Sequence, residues 1–150
     1  MIGLAHTGQL DILPALYLRI IIPPAVASEV AGEPAFADLE MVSWLQVSEP
    51  VDADAVAALR RSAGLGPGET EAILLAERLG AGLIIDEQRG RRVARERGLL
   101  IAGVVGVLME AKREGLITEI GPSLRALQGQ GFRLSDALIR AALEQVGEPE

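Results

Sequence analysis

The chain has 150 residues, the length of one domain, and 49% of them are hydrophobic, so it can form a core. It contains no cysteine and a single histidine, His6, which excludes disulfide frameworks, cysteine-ligated metal sites and histidine-rich zinc centres. A formal net charge of −7 disfavours a protein that coats nucleic acid, and 3% aromatic residues are too few for a platform that stacks bases. Any contact with nucleic acid must therefore be local.

The N-terminus lacks the pattern of a secretory leader, and no apolar run approaches the ~20 residues of a membrane helix. We therefore expect a cytoplasmic protein with no membrane segment.

Short apolar runs alternate with amphipathic helical patterns, a rhythm typical of βαβ units on a parallel sheet. The predicted strands are Arg19–Ile22, Trp44–Val47, Gly82–Ile85 and Leu99–Ala102. The predicted helices run from Pro23-Pro24 to about Val30, then over Ala53–Ser62, 69–79, Arg89–Arg97, Val104–Glu114, Pro122–Gln128 and Ser135–Val146. The sequence thus predicts an α/β fold with a central, mainly parallel sheet, in one domain over residues 1–150.

Acidic residues stand where parallel sheets bind ligands, just beyond the carboxyl ends of strands. Asp86 directly follows one apolar run, and Glu29 lies about one helical turn past the end of another. Glu69 and Glu71 open the helix at 69–79. Each has a structural alternative: Asp86 as a helix cap or turn former, Glu69 and Glu71 as partners of the helix dipole, and Glu29 as a surface carboxylate.

If the strands are parallel, these carboxylates share one cleft. A cluster of carboxylates without cysteine or histidine suits Mg²⁺ or Mn²⁺, which neutralise the like charges. Such a site is typical of metal-assisted hydrolysis of phosphodiester bonds, so the sequence favours a nuclease.

Five of the fourteen basic residues fall within Arg89–Arg97, beside Asp86. A solvated helix face explains them, but Arg89, Arg91 and Arg92 are also candidates for contacts with an RNA backbone. The Gly64–Gly68 segment suggests a phosphate-binding loop, yet it lacks the Lys-Ser/Thr pair of a P-loop, and a helix-entry turn is the alternative.

Several segments are similar to a known family. They are Ile2–Ala5, Leu10–Pro14, Ile21–Val26 with Glu29-Val30, Gly68–Ile73, Leu83–Asp86, Arg91–Ala94, Gly103–Leu108, Ala111-Lys112, Gly115–Ile117 and Gly131–Ser135. Through them the chain resembles PIN-domain proteins of the DUF3368 type. The resemblance implies a Rossmann-like, three-layer α/β/α domain with Mg²⁺- or Mn²⁺-dependent ribonuclease activity. It also implies a toxin of a toxin–antitoxin pair, inhibited by a small antitoxin protein.

The resemblance assigns the catalytic metal ligands to three positions: Glu29, Glu71 and Asp86. Glu69 and Glu87 are nearby additional acids. The reaction it implies is attack by metal-activated water, with no side chain as covalent nucleophile. The alternative is a catalytically inactive PIN-like module that binds a protein partner or RNA, and a more distant one is a protein that binds a phosphate ligand.

The chain departs from the family at its start. PIN domains begin with a hydrophobic strand that ends in an acid, whereas Met1-Ile2-Gly3 stands where the turn after that strand should end. Either the start codon is assigned too late or this member is truncated. A missing central strand would expose the backbone groups of its neighbours, so we expect a homo-oligomer or a weakly stable chain, with reduced or absent nuclease activity.

Overall fold

The computed structural model describes residues 1–38 and 42–150. The helices are α1 (Ile2–His6), α2 (Ile12–Leu16), α3 (Pro24–Val30), α4 (Ala53–Ala63), α5 (Pro67–Leu79), α6 (Gln88–Glu96), α7 (Val104–Arg113), α8 (Gly121–Gly129) and α9 (Asp136–Gln145), with a 3₁₀ turn at Pro34–Phe36. The strands are β1 (Ile20–Ile22), β2 (Leu45–Val47), β3 (Leu83–Ile84) and β4 (Ile101–Ala102). Within these ranges, no helix is both long enough and apolar enough to cross a membrane.

The four strands in the described part of the chain pair in parallel, which confirms the predicted mixed α/β fold. Ile20 is in register with Leu45 in the first pair, and Leu83 is in register with Ile101 in the second. Over the described ranges the pairs form two sheets of two strands each, β1 with β2 and β3 with β4, where the sequence predicted one sheet.

One compact unit is helical and consists of Met1–Leu18 with Val104–Glu150. Its core is built from leucines that are at most 1% exposed, among them Leu4, Leu13 and Leu124. The sequence prediction missed α1 and α2, because each spans only five residues and is too short to show a helical period.

The other unit, Arg19–Gly103, contains both sheets and α3 to α6. Helix α5 packs against α3, α4, α6 and β3, and its buried Ile73 lies in a core cluster with Leu59, Ile85 and Ala94. This central position of α5 brings its first turns close to the residues that follow β1 and β3.

Two helix starts differ from the predicted ones. Helix α5 begins at Pro67, since proline fits the first turn of a helix, and Gly64 ends α4 with a positive φ of 65°. The Gly64–Gly68 segment therefore joins two helices. Helix α6 begins at Gln88 with Glu87 as its cap, so the alternative explanation of Asp86 as a helix cap is wrong.

Candidate carboxylate site

The carboxyl ends of β1 and β3 both reach the N-terminal half of α5. Beyond β1, Ala25 donates its backbone N–H to Oε2 of Glu71 at 2.8 Å. Beyond β3, Gly90 of α6 lies beside Glu69, and a Cβ on Gly90 would stand 3.9 Å from that of Glu69. Glu69 and Glu71 of α5 thus contact the residues that follow β3 and β1.

Glu69 lies among other carboxylates. Burial raises the pKa of Glu69, and the negative charges of Glu87 and Glu29 raise it further, while the backbone of Gly66 and the charge of Arg89 act in the opposite direction. Glu69, which the sequence ranked as an additional acid only, is therefore the residue that interacts with both sides of the site.

Glu29 is exposed on α3, and its carboxylate lies against the backbone of Gly68 in α5. A Cβ at Gly68 would approach its Cδ to 2.9 Å, so any larger residue would displace the carboxylate. Sequence reasoning missed this role of Gly68, although a glycine in the first turn of a helix signals a close approach of this kind.

Two of the acids accept hydrogen bonds from backbone groups. Glu71 accepts from Ala25 through one oxygen, and Glu87 accepts the N–H of Gly90 at 3.0 Å as the cap of α6. Each of these carboxylates therefore holds a helix start as well as contributing charge.

Asp86 is exposed and lies two residues past the end of β3, after the buried Ile85. Its Oδ1 would stand 3.0 Å from a Cβ at Gly103, the residue that follows β4. Asp86 therefore lies at the carboxyl ends of both strands of this sheet.

The three candidate arginines differ in their surroundings. Arg89 donates to the carbonyl of Gly64 at 3.1 Å, and Arg91 donates to the carbonyl of Ile85 at 2.8 Å. The side chain of Arg92 is 70% exposed, with Glu96 at 4.0 Å one turn later. Arg89 and Arg91 thus bind loop carbonyls, and Arg92 faces solvent.

Carboxylate oxygens are the donors that Mg²⁺ and Mn²⁺ prefer, so the chemistry of the site matches these ions. The positions of the side chains do not match a bound ion. Across residues 1–38 and 42–150, no three Asp, Glu or His side chains are grouped so that they could hold one ion. The side chains of this conformation therefore form an acidic cluster without forming a chelating set.

A family model described as a PIN domain, DUF3368, matches residues 1–148. No curated protein matches the chain, and no solved structure matches it. The family match includes every acidic residue of the cluster.

Proposed function

Because the chain belongs to the DUF3368 family of PIN domains, a fold of the nuclease type, we propose that it is a metal-dependent endoribonuclease that hydrolyses RNA phosphodiester bonds. The observation that carries the proposal is the crowding of Glu69 by Glu87 and Glu29 where β1 and β3 end. A divalent cation would neutralise the like charges at this place.

We assign the metal ligands to Glu29, Glu71 and Asp86, with Glu69 and Glu87 as additional acids. A bound Mg²⁺ or Mn²⁺ would supply an activated water at the phosphodiester. Glu29 is exposed, so its carboxylate can rotate toward Glu69 without disturbing the core. Such a rotation is needed, because the described side chains are not grouped around one point.

RNA would meet the chain through α6. Arg92 offers an exposed guanidinium to a phosphate, whereas Arg89 and Arg91 would act from positions fixed by their bonds to backbone carbonyls. The net charge of −7 restricts this contact to a small patch.

The biological role that we propose is that of a cytoplasmic toxin with a small antitoxin protein as its partner. We also propose that it forms a homo-oligomer. The toxin role is supported by membership of the family, since the resemblance to that family implies such a role. The homo-oligomer is supported by the two short sheets.

The test is a calorimetric titration of Mn²⁺ into the chain, into Asp86→Ala and into Asp54→Ala. Asp54 is a matched control, since it is exposed at the start of α4, about 15 Å along that helix from Gly64. We expect saturable binding that Asp86→Ala loses and Asp54→Ala keeps, followed by weak Mn²⁺-dependent cleavage of RNA with the same pattern. Cleavage that persists in Asp86→Ala or in excess chelator would contradict the proposal.

A second candidate function is a catalytically inactive PIN-like module that binds a protein or RNA. Its support is that Glu71 already accepts the N–H of Ala25, and that the described acids form no chelating set. RNA binding without Mn²⁺ binding or cleavage would favour this second function over the first.

A further inference from the structure

The turn between α4 and α5 carries a pocket with two basic walls. An open pocket of about 360 Å³ is lined there by Ala57, Arg60, Arg61 and Leu65. Its volume is at the lower end of the ~300–1,000 Å³ that is typical of pockets for small ligands. Arg60 and Arg61 follow Ala57 by three and four positions on α4, so all three lie on one face of that helix. Two guanidinium groups therefore border one pocket whose other walls are apolar.

The guanidinium groups of this pocket have donors left for a ligand. Arg60 donates through Nε to the carbonyl of Leu65 at 3.5 Å, a bond that does not involve its two Nη groups. Arg61 is exposed and forms no ion pair with an acid in the described part of the chain. Both arginines lie in the last turn of α4, where a positive charge stabilises the helix dipole. The dipole explains their charge but leaves their N–H donors open.

The same turn leads to the acidic cluster. Arg89 of α6 donates to the carbonyl of Gly64 at 3.1 Å, next to Leu65 of the pocket. The backbone of Gly66, the following residue, is hydrogen-bonded to the carboxylate of Glu69. Gly66 caps α5, so Glu69 lies about 5 Å further along the helix axis. The basic pocket and the acids are thus separated by about one helical turn.

The chemistry of the pocket matches a phosphate group. Guanidinium groups bind phosphate oxygens through paired N–H donors, and they keep their charge at any physiological pH. A polyanion needs such a patch on this chain, because the net charge of −7 and the neighbouring acids repel it. An RNA strand that places the bond to be cut at the acids would bring a neighbouring phosphate to the α4–α5 turn.

We propose that Arg60 and Arg61 form a second phosphate subsite beside the acidic cluster, and that it holds one phosphate of the RNA strand close to the bond that is cut. This inference rests on the proposed nuclease function and deepens it, since it says how the strand is held. The subsite reads no base, because contacts to phosphate carry no sequence information directly. The phosphate is either an internal phosphodiester or the terminal group of the strand, and the test separates the two.

The probe is a short single-stranded RNA labelled at its 3′ end, and fluorescence anisotropy in the presence of EDTA gives its dissociation constant without cleavage. The pocket variant is Arg60→Gln/Arg61→Gln. The control variant, Arg78→Gln/Arg95→Gln, removes the same charge from the last turns of α5 and α6, at the ends of these helices farthest from the cluster. All four side chains are exposed, so both variants should fold, and their melting temperatures check this.

We expect the pocket variant to bind the RNA about tenfold more weakly than wild type at about 0.1 M salt, and the control variant to stay within about twofold of wild type. The logarithm of the association constant falls with the logarithm of the salt concentration. In the pocket variant alone, this slope should become less steep by about 0.7, the contribution of one phosphate on a single strand.

A set of RNAs identifies the phosphate that is bound. Each RNA either carries one neutral methylphosphonate linkage or differs in the presence of a 5′ phosphate. Wild type should bind most weakly to the RNA that lacks the phosphate held in the subsite, and the pocket variant should lose this discrimination. A position within the strand assigns the subsite to an internal phosphodiester, and the 5′ group assigns it to a terminal phosphate; both outcomes support the proposal.

Equal affinities of the pocket and control variants, or no RNA binding by wild type, would overturn the proposal. An oligo-glutamate peptide that binds wild type as tightly as the RNA, and the pocket variant more weakly, would also overturn it and assign the arginines to an acidic protein.

Mn²⁺ titrations keep this test separate from that of the nuclease function, since the pocket variant should bind Mn²⁺ as wild type does. Mn²⁺ binding with RNA affinity and cleavage unchanged in the pocket variant would refute the subsite and leave the nuclease. RNA binding that depends on Arg60 and Arg61 in a chain that binds no Mn²⁺ would refute the nuclease and leave a phosphate subsite in a binding module.

Discussion

Glu148 is a carboxylate whose surroundings favour its charge. Its side chain is 8% exposed, and it accepts hydrogen bonds from Nζ of Lys112 at 2.7 Å and from the N–H groups of Ile120 and Gly121 at 2.7 and 3.0 Å. Burial raises the pKa of Glu148, but these hydrogen bonds outweigh burial and leave the pKa below its ordinary value of 4.5. The C-terminal segment is thereby fixed to the start of α8.

Glu148→Gln should therefore lower the free energy of unfolding by about 1–3 kcal/mol at pH 7. A depressed pKa stabilises the folded chain above the unfolded pKa, and this contribution is lost as the pH falls below about 4.5. The difference between wild type and variant should shrink accordingly at pH 3. Urea unfolding at both pH values measures it, and a difference that persists at pH 3 would contradict the ionic explanation.

Glu69 is the opposite case, since burial and the charges of Glu87 and Glu29 raise its pKa. A raised pKa stabilises the folded chain below the unfolded pKa, and this contribution is lost as the pH rises through the folded pKa. Glu69→Gln should thus melt at a higher temperature than wild type at pH 7, with the gain absent near pH 4. Asp54→Asn is the control, and a lower melting temperature for Glu69→Gln at pH 7 would show that the crowding is not destabilising.

At the scale of elements, two helical glycines allow a side chain from elsewhere in the fold to lie directly against the helix backbone. Gly68 of α5 contacts the flexible end of Glu29, whereas Gly90 of α6 contacts Ile85, where a Cβ would stand 2.6 Å from Cδ1 in the core. The same substitution should therefore have different effects at the two positions.

Gly68→Ala should keep or raise the melting temperature, since alanine favours a helix by up to about 1 kcal/mol and Glu29 can move aside. Gly90→Ala should instead lower the free energy of unfolding by about 1–3 kcal/mol, since Ile85 is held by the core. Thermal melts of both variants check this, and equal melting temperatures for the two variants would contradict it.

The longer elements could be predicted from the sequence because their patterns are local. Helix α5 shows a helical period, and β1 is a run of β-branched residues closed by two prolines. The cap of α6 could not be assigned, since Asp86 and Glu87 are both suitable caps and only the backbone geometry of Glu87 selects it. Division of the strands into two sheets depends on which edges meet, which no local pattern encodes.

At the scale of the whole molecule, the net charge of −7 combines with an acidic cluster at one end of the strands. The Debye length is about 10 Å at 0.1 M salt, and repulsion between exposed charges farther apart than this is largely screened. The melting temperature should therefore rise between about 20 mM and about 500 mM NaCl. Glu69→Gln should show a smaller rise, because part of the repulsion is already removed. A melting temperature that falls with salt would indicate that attractive ion pairs dominate.

The sequence predicted one cleft for the acids, because parallel strands end at one edge. The described chain brings Glu29, Glu69 and Glu71 to the first turns of α5, but no three described acids are grouped around one point, so the shared cleft stays a prediction. The sequence could not predict which acid lies at the centre. That depends on how closely α3 and α6 approach α5, and this approach is set by Gly68 and Gly90 in contact with distant residues. The identity of the ligands therefore stays a prediction for the Mn²⁺ titrations.

The hydrogen bond between Ala25 and Glu71 joins residues 46 positions apart. Closing a loop of that length costs entropy that no local contact repays, so we expect the bond to form late in folding, after α5 has docked on α3. During synthesis the ribosome must also release Asp86 and Glu87 before the acids can assemble. A nascent chain shorter than about 90 residues therefore lacks the complete cluster.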